Sequence, residues 1–418
     1  MAAKSLHIYL IPGFFGFENF GELRYFAHVQ ELLRRTLAGF GYAPQFTTVR
    51  TLPTASIRRR ATSLYEAIAA TAPRDGSPLA LIGHSTGGLD ARLLVTPGVS
   101  LAGATEVEAF ARRVRAVVCV ATPHHGTPTA SFFNTLLGQK VLRLVSLSTI
   151  YVLRFGKLPI SVLLPFLGVL TGLDDLISRR QDTLDQLYLQ LLRDFSPERS
   201  DSLQRFFQEV RGDQSLLPQL TPEGIDLFNA AVSPRETVRY GSVVTRGRPP
   251  GLSSFFGAVP SAYALANHAL YAACHRLAGR PPRSGWPPLS PADARFLRLS
   301  FGDVPDGEDN DGMVPTLSQV WGELIHATWA DHLDVVGHFD ESLEDPPHYD
   351  WLVSGTGFGR ADFVLLWSRV ARFLAGQQLA PAALPGRTKR GRARRGASGS
   401  HPSPAHARGG AATGVRGG

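Results

Sequence analysis

Apolar positions along this chain follow two rhythms, and the order in which they alternate carries most of the fold information. Leu6–Ile11 is a short, β-prone apolar run that stops at Pro12-Gly13, the pattern of a buried strand entering a turn. Gly21–Phe40 then spaces Leu23, Phe26, Val29, Leu33 and Leu37 along one helical face. Ser63–Ala70 reads as a second helix, closed by Pro73 and the turn pair Asp75-Gly76. Leu79–Ile82 is a strand, Gly88–Val95 a helix and Val114–Val120 a strand again. Strands alternating with helices predict an α/β architecture: a mostly parallel sheet covered on both faces.

The alternation breaks near residue 131. From there to Glu236 the pattern is mainly helical, and Val238–Thr245 restores a strand. The expected organisation is a core of residues 1–130 and 238–385, with 131–237 inserted as a helical cap or lid. Within the insertion, Leu158–Leu173 runs 16 residues without a charge, interrupted by Pro159, Pro165, Gly168 and Gly172. A membrane span wants ~20 apolar residues, so the run reads either as an ordinary core helix or as a lid over an apolar pocket.

Charge changes the picture less than its total suggests. The eight Lys and Arg between Gly386 and Gly418, with no acid among them, account for the whole formal +8 and leave 1–385 neutral. Residues 386–418 are rich in Gly, Ala and Arg without apolar periodicity, which predicts a disordered basic tail. No nucleic-acid partner is expected; peripheral contact with an anionic surface is the alternative role for such a tail. Cys119 and Cys274 are the only cysteines, so no disulfide framework is implied. The N-terminal residues lack the apolar core and cleavage site of a signal peptide, and a cytoplasmic location is the expectation.

The chemistry centres on Gly83-His84-Ser85-Thr86-Gly87. This G-x-S-x-G pattern gains meaning from its context, a strand before and a helix after, which makes it a nucleophile elbow of the α/β-hydrolase fold. Ser85 is then the nucleophile. Two backbone N–H groups must face the developing oxyanion. One belongs to Thr86, and Phe14, in the loop Ile11-Pro12-Gly13-Phe14-Phe15-Gly16, is the candidate for the other.

Acid and base should follow in the order Ser, Asp/Glu, His. Beyond Val238–Thr245 the candidate acids are mainly Asp293, Asp303, Asp306, Glu308, Asp309 and Asp311. Asp311 leads because its Asp-Gly turn presents a carboxylate at a loop tip, whereas the others sit in a run of like charge. His326, His332, His338 and His348 are the late histidines; His332 lies between acids and beside an apolar run. His124 and His125 precede the acid and read as structural.

Four blocks resemble the secreted, foldase-dependent bacterial triacylglycerol lipases and their esterase relatives. They are Ile8–Gly16 with Phe20–Phe26, Leu81–Arg92, Val120–Pro128, and Asn310–Val314 continuing to His332-Leu333-Asp334. The resemblance implies Asp311 as catalytic acid, His332 as base, and Phe14 and Thr86 as oxyanion donors. It also implies a secretion signal, a pattern not expected from the first residues here, and in many members a cysteine after the Asp-Gly turn, where Val314-Pro315-Thr316-Leu317 stands. A structural Ca²⁺ bound through two aspartates belongs to the same resemblance. Asp334 matches one, Ser290 stands at the other, and Asp293 is the substitute within reach. Ca²⁺ prefers several carboxylate and carbonyl oxygens, so weak or absent calcium binding is expected, and no cofactor is required. The expected activity is carboxylic ester hydrolysis through an acyl-enzyme, on a small-molecule or lipid ester. Acyl transfer to an alcohol, or a hydrolase-fold binding module without activity, are the competing readings.

Overall fold

A computed structural model describes residues 3–14, 25–51, 53–155, 159–162, 165, 177–251, 262–282, 284–341, 350 and 352–379. Residues 1–384 form one compact unit. The basic stretch 386–418, His348, and most of the uncharged run 158–173 lie outside the described residues.

Six strands form one parallel sheet in the order β2-β1-β3-β4-β5-β6. They are β1 Lys4–Ile11, β2 Tyr42–Thr48, β3 Leu79–His84, β4 Val114–Val120, β5 Arg239–Arg246 and β6 Glu323–Trp329. Alternate residues of β1 serve opposite cores. Leu6, Ile8 and Leu10 pack with Val29, Leu33 and Leu37 of helix α1 (Val29–Ala38), and with Trp367 of the helix Arg360–Leu374. Tyr9 and Ile11 face Ala61, Leu64 and Ile68 of α2 (Ile57–Thr71) and Ala91 and Leu94 of α3 (Gly87–Val95). Both faces are therefore dry, which is why the central strands read as unbroken apolar runs. Truncating one such side chain, as in Leu33→Ala, would cost about 2–5 kcal/mol.

Differences from the sequence pattern have local causes. Helix α2 starts at Ile57, upstream of the expected Ser63, because the Ser56 side chain accepts from the Arg59 N–H and caps it. Strand β2 escaped the pattern: it is an edge strand with Pro44 in it and no fully buried position. Strand β6 escaped because Glu323 and His326 interrupt its apolar run. Between β4 and β5 the chain is helical at Pro128–Phe133, Leu136–Phe155, Ile177–Leu192, Pro197–Gly212, Leu216–Gln219 and Pro222–Ala231.

The strand order places the site. From β1 the chain crosses to β2 on one side and returns to β3 on the other, so the connections leaving β1 and β3 diverge. In open parallel sheets the crevice beyond the carboxyl ends at such a switch point is where ligands bind. Here those ends carry Gly13-Phe14 and Ser85.

Candidate active site

Ser85 connects β3 directly to α3 and holds a left-handed backbone, φ 54°, rare for a residue with a side chain. Its N–H donates to the Val120 carbonyl at 2.8 Å, which pins the turn to the next strand. The glycines around it are required by contact. A Cβ on Gly83 would lie 2.3 Å from the Gly87 carbonyl carbon, and one on Gly87 would lie 2.3 Å from the Ile11 carbonyl oxygen. Strand, elbow and helix thus pack backbone to backbone, and the serine is forced outward at the sheet's rim. Thr86 caps α3, so its amide belongs to a helix start, where N–H groups lack intrahelical acceptors and the helix dipole favours negative charge.

Asp311 and His332 are brought together. His332 Nδ1 lies 2.8 Å from Asp311 Oδ2, and the His332 N–H donates to the Asp311 carbonyl at 3.0 Å. Asp311 is fully buried and accepts four more bonds: Thr245 Oγ1 (2.7 Å) and Gln319 Nε2 (3.2 Å) at Oδ2, the Met313 and Val314 amides (3.0 and 2.8 Å) at Oδ1. A buried carboxylate without such donors would be strongly disfavoured. The Asp-Gly turn works as expected, with Gly312 at φ 94°, a conformation that suits glycine.

The competing acids are occupied elsewhere. Asp303 and Asp309 pair with Arg246, and Asp306 accepts the Glu308 and Asp309 amides. His326 lies within β6, where burial pushes it down to about 3. His338 Nε2 meets the Tyr25 carbonyl at 3.1 Å. His124 is buried, stacked on Trp321 and 3.1 Å from Arg92 Nη1, a structural position.

Ser85, Thr86, Phe14 and His332 line one half-open cleft, whose remaining wall is largely apolar: Ala130, Phe133, Leu217, Leu220, Met313 and Val314. A second layer, missed in the sequence, holds these parts in place. The Gly13 N–H donates to Tyr25 OH at 3.0 Å, and Tyr25 OH lies 2.6 Å from His84 Nδ1. His84 Nε2 lies 2.9 Å from the His332 carbonyl oxygen. A carbonyl only accepts, so Nε2 carries the proton, Nδ1 accepts from the tyrosine, and the tyrosine oxygen accepts from Gly13. Burial, then the nearby His332, holds His84 well below its usual range, in keeping with that neutral tautomer. The chain of bonds links the Gly13-Phe14 loop, the elbow and the histidine loop. It also engages the Gly13 amide. On the other side, Arg60 Nη2 donates to the Pro12 carbonyl (2.7 Å) and pairs with Asp90 (2.8 Å), both side chains fully buried. Of these residues Tyr25, His84 and Asp90 fall within the resembling blocks, though no role was read for them, and Arg60 carried no signal.

With this geometry the fold is decided. It is an α/β-hydrolase fold. No protein-family model and no curated protein sequence matches the chain. Among solved structures it is similar to lipase 1 from Pelosinus fermentans (15% identity, TM-score 0.49, covering 90% of this chain and 100% of that one). It is similar also to EstA from Clostridium botulinum (17%, 0.48, 91% and 89%) and to the Staphylococcus hyicus lipase (15%, 0.47, 88% and 95%).

The resemblance above implies a structural Ca²⁺ in the lipase family, through positions that match Asp334 and Ser290 here, with Asp293 as the substitute. Asp293, the substitute ligand suggested by the sequence, is engaged otherwise: Ser290 caps the helix Pro291–Phe301, and its Oγ accepts from the Asp293 N–H and donates to Asp293 Oδ2 at 2.6 Å. The acids gathered around Asp334 are instead Asp331 and Asp350. Cys119 and Cys274 are both free and buried, each thiol pushed up to about 12 by its apolar surroundings. Among the described residues no helix is long and apolar enough to cross a membrane.

Proposed function

We propose that this chain is a serine carboxylic-ester hydrolase, a lipase-like esterase working through an acyl-enzyme. The observation that carries the reading is the Asp311–His332 hydrogen bond at 2.8 Å, with His332 and the strained Ser85 lining one apolar-walled cleft. A non-catalytic scaffold has no need to bury a carboxylate against a histidine at the mouth of such a cleft.

With Nδ1–H donated to Asp311, His332 Nε2 carries the lone pair. It takes the proton from Ser85 Oγ as that oxygen bonds to the ester carbonyl carbon. Charge gathers on the former carbonyl oxygen, where the amides of Thr86 and Phe14 stabilise it. Collapse breaks the bond to the alcohol, which leaves with the proton held by His332. Water then repeats the sequence, His332 taking its proton while its oxygen attacks the acyl carbon, and Ser85 is released with the acid. The apolar wall suits a hydrocarbon acyl group, since burying each methylene contributes about 0.8 kcal/mol. A Ca²⁺ ion held by Asp331, Asp334 and Asp350 would brace the His332 loop and take no part in bond making.

A fluorophosphonate probe should label the wild-type chain once, and p-nitrophenyl esters of rising acyl length should be hydrolysed. Ser85→Ala should lose labelling and retain only a trace of turnover, with its fold intact. Full labelling and turnover by folded Ser85→Ala would refute the assignment.

A further inference from the structure

Thr86 brings more to the cleft than its backbone amide. The residue is 1% exposed, and its Oγ1 hydroxyl is buried with no hydrogen-bond partner among the described residues. Other threonines in and beside the helices turn theirs to the local backbone. Thr36, Thr62 and Thr96 each donate to the carbonyl four residues back, at 2.9, 3.0 and 2.9 Å. Thr86 makes no such bond. It stands at the cap of α3 without a side-chain cap bond. Four residues back from it is Ile82, inside β3, where the backbone serves the parallel ladder with β1 and β4. A buried hydroxyl left without a partner costs stability, so its presence calls for a partner that arrives with the substrate.

Its place says which part of the substrate. Thr86 lines the cleft together with Ser85, Phe14 and His332. It follows the nucleophile directly, and its own N–H is a proposed oxyanion donor, so the hydroxyl and that amide belong to one residue. The Gly13 backbone closes over the serine: a Cβ there would lie 2.5 Å from Ser85 Cβ and 3.1 Å from its Oγ. The other two threonines of the cleft are engaged, Thr127 and Thr129 both donating to the Met313 carbonyl, at 2.7 and 3.0 Å. Of the three, Thr86 alone has an unengaged hydroxyl among the described residues.

We propose that the Thr86 hydroxyl is a third oxyanion donor, adding its own bond to those of the Thr86 and Phe14 amides when the tetrahedral intermediate forms. The proposal rests on the esterase reading and adds a catalytic residue to it. Any residue after the nucleophile supplies an amide; a hydroxyl-bearing one supplies a second bond from the same position. A hydroxyl hydrogen rotates to suit its acceptor, so it turns to the former carbonyl oxygen as negative charge gathers there. Hydrogen bonds to an ionised oxygen are shorter and roughly twice as strong as neutral ones. The gain therefore falls on the transition state more than on substrate binding. No proton changes owner: the hydroxyl keeps its hydrogen, and the bond weakens when the intermediate collapses.

Thr86→Val removes the oxygen and keeps the branched shape. On a short p-nitrophenyl ester kcat should fall about 100-fold, the low end for losing one preorganised donor, with KM within about twofold. The inhibition constant of a trifluoromethyl ketone, whose adduct with Ser85 carries the oxyanion, should rise by a similar factor. Thr86→Ser keeps the hydroxyl and should recover most of the loss. Because the hydroxyl has no partner in the free chain, Thr86→Val should melt no lower than the wild type, whereas loss of a bond serving the fold would lower melting. Thr86→Ala is the second variant should valine fail to fold, with the same expected loss of kcat. Wild-type kcat and ketone inhibition in either folded variant, beside an active wild type, would overturn the proposal and leave the esterase reading standing. A fall in kcat accompanied by lower melting and unchanged ketone inhibition would assign the hydroxyl to structure and overturn it equally. A wild type that neither takes a fluorophosphonate label nor hydrolyses the ester would overturn both.

Discussion

Tyr25→Phe isolates the bonds that join the oxyanion loop to the histidine loop. The ring and its edge contact with Phe26, at 5.0 Å between centroids, are retained, so the substitution removes one oxygen and little packing. Two buried groups lose their partner: the Gly13 N–H at 3.0 Å and His84 Nδ1 at 2.6 Å. Each such group costs about 1–3 kcal/mol when stranded, and removing the buried hydroxyl itself offsets part of that, leaving about 3 kcal/mol. Unfolding entropy for a unit of 384 residues is about 0.8 kcal/mol/K, so the melting temperature should fall by ~4 °C. Activity should fall further than stability suggests. The Gly13 amide is anchored one residue before the proposed donor Phe14, and His84 holds the carbonyl of His332. Misplacing such groups acts on the transition state more than on substrate binding, so kcat should drop about tenfold with KM within about twofold. Steady-state kinetics on a short p-nitrophenyl ester and a thermal melt measure both. Unchanged melting together with unchanged kcat would refute the reasoning.

The legibility of the site followed how local its determinants are. Ser85 was visible because the elbow is a contiguous stretch whose glycines answer contacts with neighbouring backbone at 2.3 Å. Asp311 was visible because an Asp-Gly turn is local too. The histidine needed more than pattern: His326, His332 and His338 are all buried, and only tertiary contact separates the one that meets Asp311. The roles of Thr245, Gln319 and Tyr25 could not be read, since each acts on a partner that only the fold brings near, 8 to 66 positions away in the chain. The same distinction governs the fold. Central strands buried on both faces announce themselves, while edge strand β2 and the interrupted β6 do not. Around Asp334 the sequence pointed to Asp293 as the neighbouring acid, whereas the fold gathers Asp331 and Asp350, the latter from beyond the histidine loop.

The remaining predictions probe the triad, the tail and the buried histidines. Asp311→Asn and His332→Ala should each lose activity comparably to Ser85→Ala, because the three act as a unit; a dead His338→Ala beside an active His332→Ala would show that the base is misassigned. Removing residues 386–418 should leave turnover of a soluble short ester unchanged, since no candidate catalytic residue lies there, and a large loss would contradict that reading. The last concerns acid. His326 sits in β6 at 6% exposure, and desolvation, aided by the charge of Arg369, lowers it to about 3. Its folded value is thus depressed below the unfolded ~6.5, so the unfolded chain binds a proton that the native chain refuses. The stability this contributes is complete above the unfolded value and is lost as pH falls from about 6.5 toward 3. Between pH ~5.5 and ~4.5 this one group should contribute about 1.3 kcal/mol per pH unit to the decline. His326→Leu keeps a similar volume and removes the proton, so urea unfolding across that range should show a slope smaller by nearly one proton. An identical slope in the two proteins would mean that His326 is not held neutral by burial.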